Sequence, residues 1–329
     1  MELAVPGAQS LVWHDGGLVD VAAGWRRHGL DGSEPVSRYS GYGRGFDAAV
    51  MAPAGDVVAL VASTGTKALL LEPGGKFIRE LNRSYYHAEA YRYPLALFTL
   101  PDGRTGLVHC PEEYNRLEVE VARTGERLTG GQDRDPEDFF HSRLAVSPDG
   151  RFLLSAGWVW HPLSLAEIYE LPGALEQPRV LDAAVRGDPW SQATGVTEIS
   201  GACFVGQDIV ISTSADEPDT DDPGRLGPRM LARWSAAGQQ FTWIRQLAQT
   251  AGDLLALGSS ILALYQCPRL YDAVTGELQA EWPGLDTGRA DSSIVWDKAF
   301  SGPARVAIDE PGQRFAVTDG EEITVIQLA

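Results

Sequence analysis

His109 and Cys110 stand side by side with Glu112 and Glu113 close behind, the one place in the chain where a thiol, a base and acids are near neighbours. Nucleophilic catalysis needs such a set, with the base in hydrogen-bond reach of the nucleophile and an acid orienting the base. Adjacent side chains on a strand point to opposite faces, which argues against His109 acting on Cys110. A second pattern is the grouping of four of the 6 histidines, His87, His109, His141 and His161, in segments rich in aromatic residues. His109, His141 and His161, with Cys110, offer nitrogen and sulfur ligands of the kind zinc takes. No CxxC pair and no HExxH helix accompanies them, and the chain has neither a P-loop nor a dinucleotide fingerprint. The expectation is therefore no catalytic residue, no metal and no cofactor.

The same segments fit a binding surface better than a reaction centre. NRSYYHAEAYRY carries Tyr85, Tyr86, His87, Tyr91 and Arg92, and HCPEEYNR carries His109, Glu113, Tyr114 and Arg116. DRDPEDFFHSR adds Phe140, His141 and Arg143, and WVWHP adds Trp158, Trp160 and His161. GDPWSQ and VWDKAF add Trp190 and Trp296. Tyrosine, tryptophan and arginine are the residues most enriched among energetic anchors of protein interfaces. The competing explanation is structural: rings such as Tyr85, Phe139, Phe140, Trp158 and Trp160 plug gaps between elements and serve only the core.

What must position these residues is a series of hairpins. LAVSPDGRFLLSAG (Leu144–Gly157) has an apolar strand, a tight Pro-Asp-Gly turn and a returning strand. Rough copies occur as VMAPAGDVVALVAS, LFTLPDGRTGLVHC and VAIDEPGQRFAVTD, with weaker ones near residues 11, 203 and 254. Seven hairpins separated by a few dozen residues imply an all-β, seven-bladed β-propeller of four-stranded antiparallel blades, in which each sheet needs its neighbours to bury its faces. The blades are expected at about 10–40, 47–81, 93–130, 143–180, 199–248, 253–290 and 303–328, all in one domain spanning 1–329. The last offers only three strands, so residues 2–5 are expected to close the ring by pairing with it. The aromatic segments then fall on the face opposite the short turns, in the loops between second and third strands and in the crossings between blades.

The motif Ser147-Pro148-Asp149-Gly150-Arg151 resembles the first hairpin of WD40-like and related bacterial repeat propellers. Tyr271-Asp272 stands where their third strand often carries Trp-Asp. The resemblance covers nearly the whole chain but lacks the usual Gly-His head, and the Trp-Asp pair at Trp296-Asp297 falls in a loop. It implies a fold rather than an activity.

A formal charge of −18 argues against nucleic acid and anionic membrane as partners, since both require clustered Lys and Arg. It would draw in a basic partner. The three cysteines, Cys110, Cys203 and Cys267, are an odd number and read as reduced thiols, and no signal peptide or membrane span is evident, so a cytoplasmic monomer is expected. SADEPDTDDPGRLGP (Ser214–Pro228) is acidic, but it lacks the calcium-loop register. The expected role is a non-catalytic protein-binding propeller that docks a basic partner on this face, an inhibitor or immunity-like protein being its sharper form. The alternative is a small-ligand-binding or hydrolytic propeller using a pocket at the axial end of the same face.

Overall fold

The computed structural model describes residues 1–30, 36–37, 40–43, 45–130, 133–160, 163–184, 189–194, 198–216, 226–295 and 305–328. Seven antiparallel sheets follow one another along the chain. Their innermost strands are Leu11–His14, Ala48–Met51, Leu95–Thr99, Phe140–Val146, Ile199–Val205, Leu254–Leu257 and Arg305–Asp309. Each innermost strand packs beside the next, and the seventh packs beside the first, so the sheets form a closed ring. All seven run in the same sense along the axis, from the crossings between blades at one end, here the loop face, to the tight hairpins at the other.

The hairpins are local constructions. Gly103 and Gly150 adopt φ of 85° and 72°, in the left-handed region open to glycine. Beside them Asp102 accepts the Arg104 amide (3.0 Å) and Asp149 accepts the Arg151 amide (3.0 Å). In the third strand of blade six, Arg269–Asp272, Tyr271 is buried, while Asp272 accepts the amides of Val274 (2.8 Å) and Thr275 (2.7 Å) to tie down the next turn. The Tyr-Asp pair thus divides between sheet core and turn.

Residues Glu2–Ala4 form the outermost strand of the seventh blade, with Glu2 opposite Thr324, Leu3 opposite Ile323 and Ala4 opposite Glu322. Val5 and Ala8 then join Leu11, Leu18, Ala307, Ala316, Ile323 and Val325 in one buried cluster across the seam. The expected closure by the two chain ends is what the sheet order shows.

Four blades have four strands, and three have a different fourth element. In blades one and three the fourth strand shrinks to single bridges, Arg27 with Val36 and Glu120 with Arg127. In blade four, short helical segments at Leu171–Glu176, Pro178–Leu181 and Pro189–Thr194 take its place. Pro172 and Pro178 lack the amide a ladder needs and pre-set a helical φ at segment starts, so the chain leaves the sheet here.

Blade four also begins earlier than its sequence indicates. Phe140, His141 and Arg143 belong to the strand Phe140–Val146 and Trp158 to the strand Phe152–Val159, not to loops. A bulge between His141 and Arg143 inserts one residue, which breaks the two-residue alternation that would have marked the segment as strand. Opposite the bulge, Gly157 is required by space: a Cβ there would lie 2.2 Å from the Phe140 carbonyl oxygen.

Candidate functional site

The extended strands of blade four carry Phe140 and Trp158 up to the loop face, where they meet rings from two neighbouring segments. Tyr114, Phe140 and Trp158 stack in a column, with centroid separations of 4.2 and 4.0 Å. Tyr91 meets Phe140 edge-on at 5.6 Å, and Tyr86 lies over Phe140 at 5.9 Å. Trp160 abuts Trp158 (5.2 Å), Phe140 (5.5 Å) and His87 (5.3 Å) edge-on. Offset and edge-to-face pairs of this kind contribute roughly 0.5–1.5 kcal/mol each beyond burial.

Burial divides these rings into two tiers. Phe140, Tyr91 and Trp158 are buried, with Ile294 inserted among them from the crossing after blade six. Above them Tyr85 is 85% exposed, Trp160 44% and Tyr86 43%. The core explanation therefore holds for the lower tier and fails for the upper one. Acids surround the exposed rings: Glu89 follows His87, and Glu112 and Glu113 precede Tyr114, all exposed. Asp138 accepts the Tyr114 hydroxyl at 2.7 Å. Burial and that carboxylate both push the Tyr114 hydroxyl up, so it stays protonated as a donor. Of the acids named, Glu112 is paired, with Arg127 at 2.9 Å.

The loop that presents Tyr85 and Tyr86 is held from beneath by Arg83. Its guanidinium donates to the carbonyls of Gly65 (2.8 Å), Arg92 (3.0 Å), Ala88 (2.7 Å) and Tyr91 (3.2 Å). It also lies 4.6 Å from the Tyr91 ring centre. His87 adopts φ 50° at the head of the short helical turn Ala88–Ala90, an unusual conformation for a residue with a Cβ. The loop is thus a built platform, fixed before anything binds.

His141 and His109 serve the interior. His141 is buried, its ring between the Ser155 hydroxyl (2.8 Å) and the Asn115 carbonyl (3.2 Å), and burial pushes its pKa down to about 3. His109 is buried with Nε2 3.3 Å from Glu120. Burial works to raise the Glu120 carboxyl, but His109 and Arg79 hold it down to about 2. Arg116 pairs with Glu118 at 2.8 Å. Cys110 is buried and its thiol is pushed up by burial, the reverse of what a nucleophile requires. Among the described residues no group of three His, Cys, Asp or Glu side chains is placed to hold a metal.

Arg92 and Arg143 turn away from the rings toward the axis. They share Asp253, with Arg92 Nη1 at 3.1 Å and Arg143 Nη2 at 2.8 Å from its two oxygens. Asp253 and Ile294 were not foreseen in the sequence. Asp253 is one acid among 45, and Ile294 reaches the cluster only because its crossing traverses the loop face, where the Ser142 hydroxyl donates to the Ile294 carbonyl (2.7 Å).

Trp190 is buried in the same hydrophobic core as Phe140 and Trp158 and does not join the exposed tier. It covers the open edge of blade four, donating to the Ala166 carbonyl (2.8 Å) and packing edge-on against Trp234. His161 and Trp296 lie outside the described residues, as does most of the acidic loop.

No family model matches this chain, and neither does any curated protein. Solved structures do match. A chain of the "Crystal Structure of Mitotic Checkpoint Complex" aligns with a TM-score of 0.59 at 10% identity, covering 100% of this chain and 91% of that one. This is the WD40-like propeller fold. As many as 961 solved chains match, so the WD40-like likeness fixes the architecture and leaves the partner open. No described helix is long and apolar enough to cross a membrane.

Proposed function

We propose that this propeller is a protein-docking module whose loop face receives a basic segment of another protein on the exposed rings Tyr85, Tyr86 and Trp160. The observation that supports this most is the two-tier cluster. A buried aromatic column carries Tyr86 and Trp160 at the surface, with Tyr85 beside Tyr86 in the same loop, and the exposed acids Glu89, Glu113 and Asp138 lie close in sequence to these rings or their partners. Rigid amphipathic rings lose little conformational freedom on binding, and they attract Lys and Arg through both their faces and the neighbouring carboxylates. At low ionic strength the net charge of −18 adds steering of the same sign. That the structural relative belongs to a complex agrees with such a role. Among the described residues no metal set accompanies the surface and Cys110 is buried, and the function proposed is docking. An inhibitory role against a basic enzyme is one form this docking would take.

Random twelve-residue peptides displayed on phage and panned against the immobilised protein test the reading. Enriched peptides are expected to be rich in Lys and Arg. A Tyr85→Ala/Trp160→Ala variant should bind them roughly 30-fold or more weakly, the loss of about 2 kcal/mol typical of an anchor. Phe77→Ala, at an exposed ring outside the cluster, should leave binding unchanged. Enrichment of peptides without basic residues, or equal binding by both variants, would refute it.

A further inference from the structure

Inside the ring lies a cavity of about 420 Å³, lined by the innermost strands of blades two to six. Its walls are apolar, with Val50, Leu97, Leu144, Val146, Phe204 and Leu254 among them. At the end nearest the loop face the lining changes to Arg92, Arg143 and Ser142, with Asp253 between the two arginines. The volume falls in the range of sites that enclose small organic ligands, roughly 300–1,000 Å³.

The hydrogen-bond accounting at that end leaves donors over. Both Asp253 oxygens are taken: one accepts Arg143 Nη2 (2.8 Å) and the Leu254 amide (3.0 Å), and the other faces Arg92 Nη1 (3.1 Å). Asp47, whose charge also acts on Arg92, accepts the Ser63 amide at 2.7 Å. The Ser142 hydroxyl is committed to the Ile294 carbonyl and accepts the Arg92 amide. Against these spent acceptors, Arg92 Nε is buried without a partner, and Arg143 uses only Nη2 among the described residues while its side chain remains 28% exposed. A buried, unpaired guanidinium N–H is costly enough that such groups normally have an acceptor.

From this we infer that the axial cavity binds a small amphiphilic carboxylate, its hydrocarbon part among the strand side chains and its carboxylate at Arg143 and Arg92. A carboxylate offers acceptors only, which complements the unused N–H groups of Arg92 and Arg143, and planar guanidinium groups match it in geometry. The strongly acidic exterior does not oppose this, because beyond about 10 Å its charges are screened at ordinary salt while the two arginines act at contact. The site is separate from the exposed rings, and its fate in experiment does not depend on theirs.

Decanoate and decanol, which differ only in the head group, are the probes. Isothermal titration of the full chain is expected to show one decanoate per chain, bound at least tenfold more tightly than decanol. Arg143→Gln should remove that preference, leaving decanol affinity unchanged. Ala145→Phe, or Ala256→Phe if the first does not fold, should fill the cavity and abolish binding of both; intact folding is checked by circular dichroism. Equal affinity for the two probes, a preference that survives Arg143→Gln, or no saturable decanoate binding up to 1 mM would overturn the inference. Peptide binding at Tyr85 and Trp160 would remain in every case.

Discussion

The two faces of this ring use polar and aromatic residues in opposite ways. On the hairpin face three turn aspartates serve the turns they sit in. Asp102, Asp149 and Asp272 bind amides two or three residues on, and hydrogen bonds from the Arg104 side chain, the Ser147 hydroxyl and the Thr275 amide respectively do most to hold their carboxyls below the usual aspartate range. These carboxylates are committed to the turns and not to a partner. On the loop face the stabilising contacts run between blades: Phe140 of blade four stacks on Tyr114 of blade three, and Ser142 binds the carbonyl of Ile294, 152 residues away. That architecture needs a lower tier of rings and supports an upper tier that the fold does not use. The docking surface we propose lies where rings from several blades meet.

The largest effect expected from testing the contrast comes from the shared ring. Phe140→Ala removes the centre of the column and should lower unfolding stability by roughly 3–5 kcal/mol in urea titration. Asp149→Ala on the hairpin face removes a local turn contact and should cost about 1 kcal/mol. If the two variants are equally stable, the loop face is not the interlocked region described.

A pH titration sharpens the same point. Burial sets the folded-state pKa of His141 at about 3, below the 6.5 of an ordinary histidine. The unfolded chain therefore takes up the proton first. The contribution of the neutral ring is complete above pH 6.5 and is lost as pH falls toward 3, at up to about 1.4 kcal/mol per pH unit. The stability–pH curves of the wild type and His141→Gln should diverge in slope below about pH 6, with the variant showing the shallower dependence. An identical dependence in both would place His141 in contact with water.

The smallest effect is expected at the upper tier. Tyr85→Ala and Trp160→Ala should each shift stability by less than about 1 kcal/mol, because these rings are substantially exposed. A large loss for Tyr85 would return it to the core and remove it from the proposed surface.

Much of this was legible in the chain because it is local. Pro148-Asp149-Gly150 and its relatives announce hairpins through residues adjacent in sequence, and seven of them imply the ring and its closure. The clustering of Tyr86, His87, Tyr114, Phe140 and Trp160 also followed from topology, since alternate loops must share a face. What escaped depends on distance and on broken periodicity. The bulge at Ser142 disguised a strand as a loop, Pro172 and Pro178 replaced a strand with helical turns, and Trp190 followed those turns away from the exposed rings. Arg83, Asp253 and Ile294 act through partners on other segments or other blades, for which composition carries no signal. The histidines looked alike in sequence, yet burial made His141 a neutral strut while His87 remained at the surface.

The most direct test of the docking surface is site-specific photo-crosslinking. Benzoylphenylalanine placed at Tyr85 in one protein and at Phe77 in another, each irradiated with a Lys- and Arg-rich peptide selected by panning, should yield a salt-sensitive adduct at Tyr85 alone. Equal adducts at both positions, or an adduct only at Phe77, would contradict a partner held on the exposed rings of the loop face.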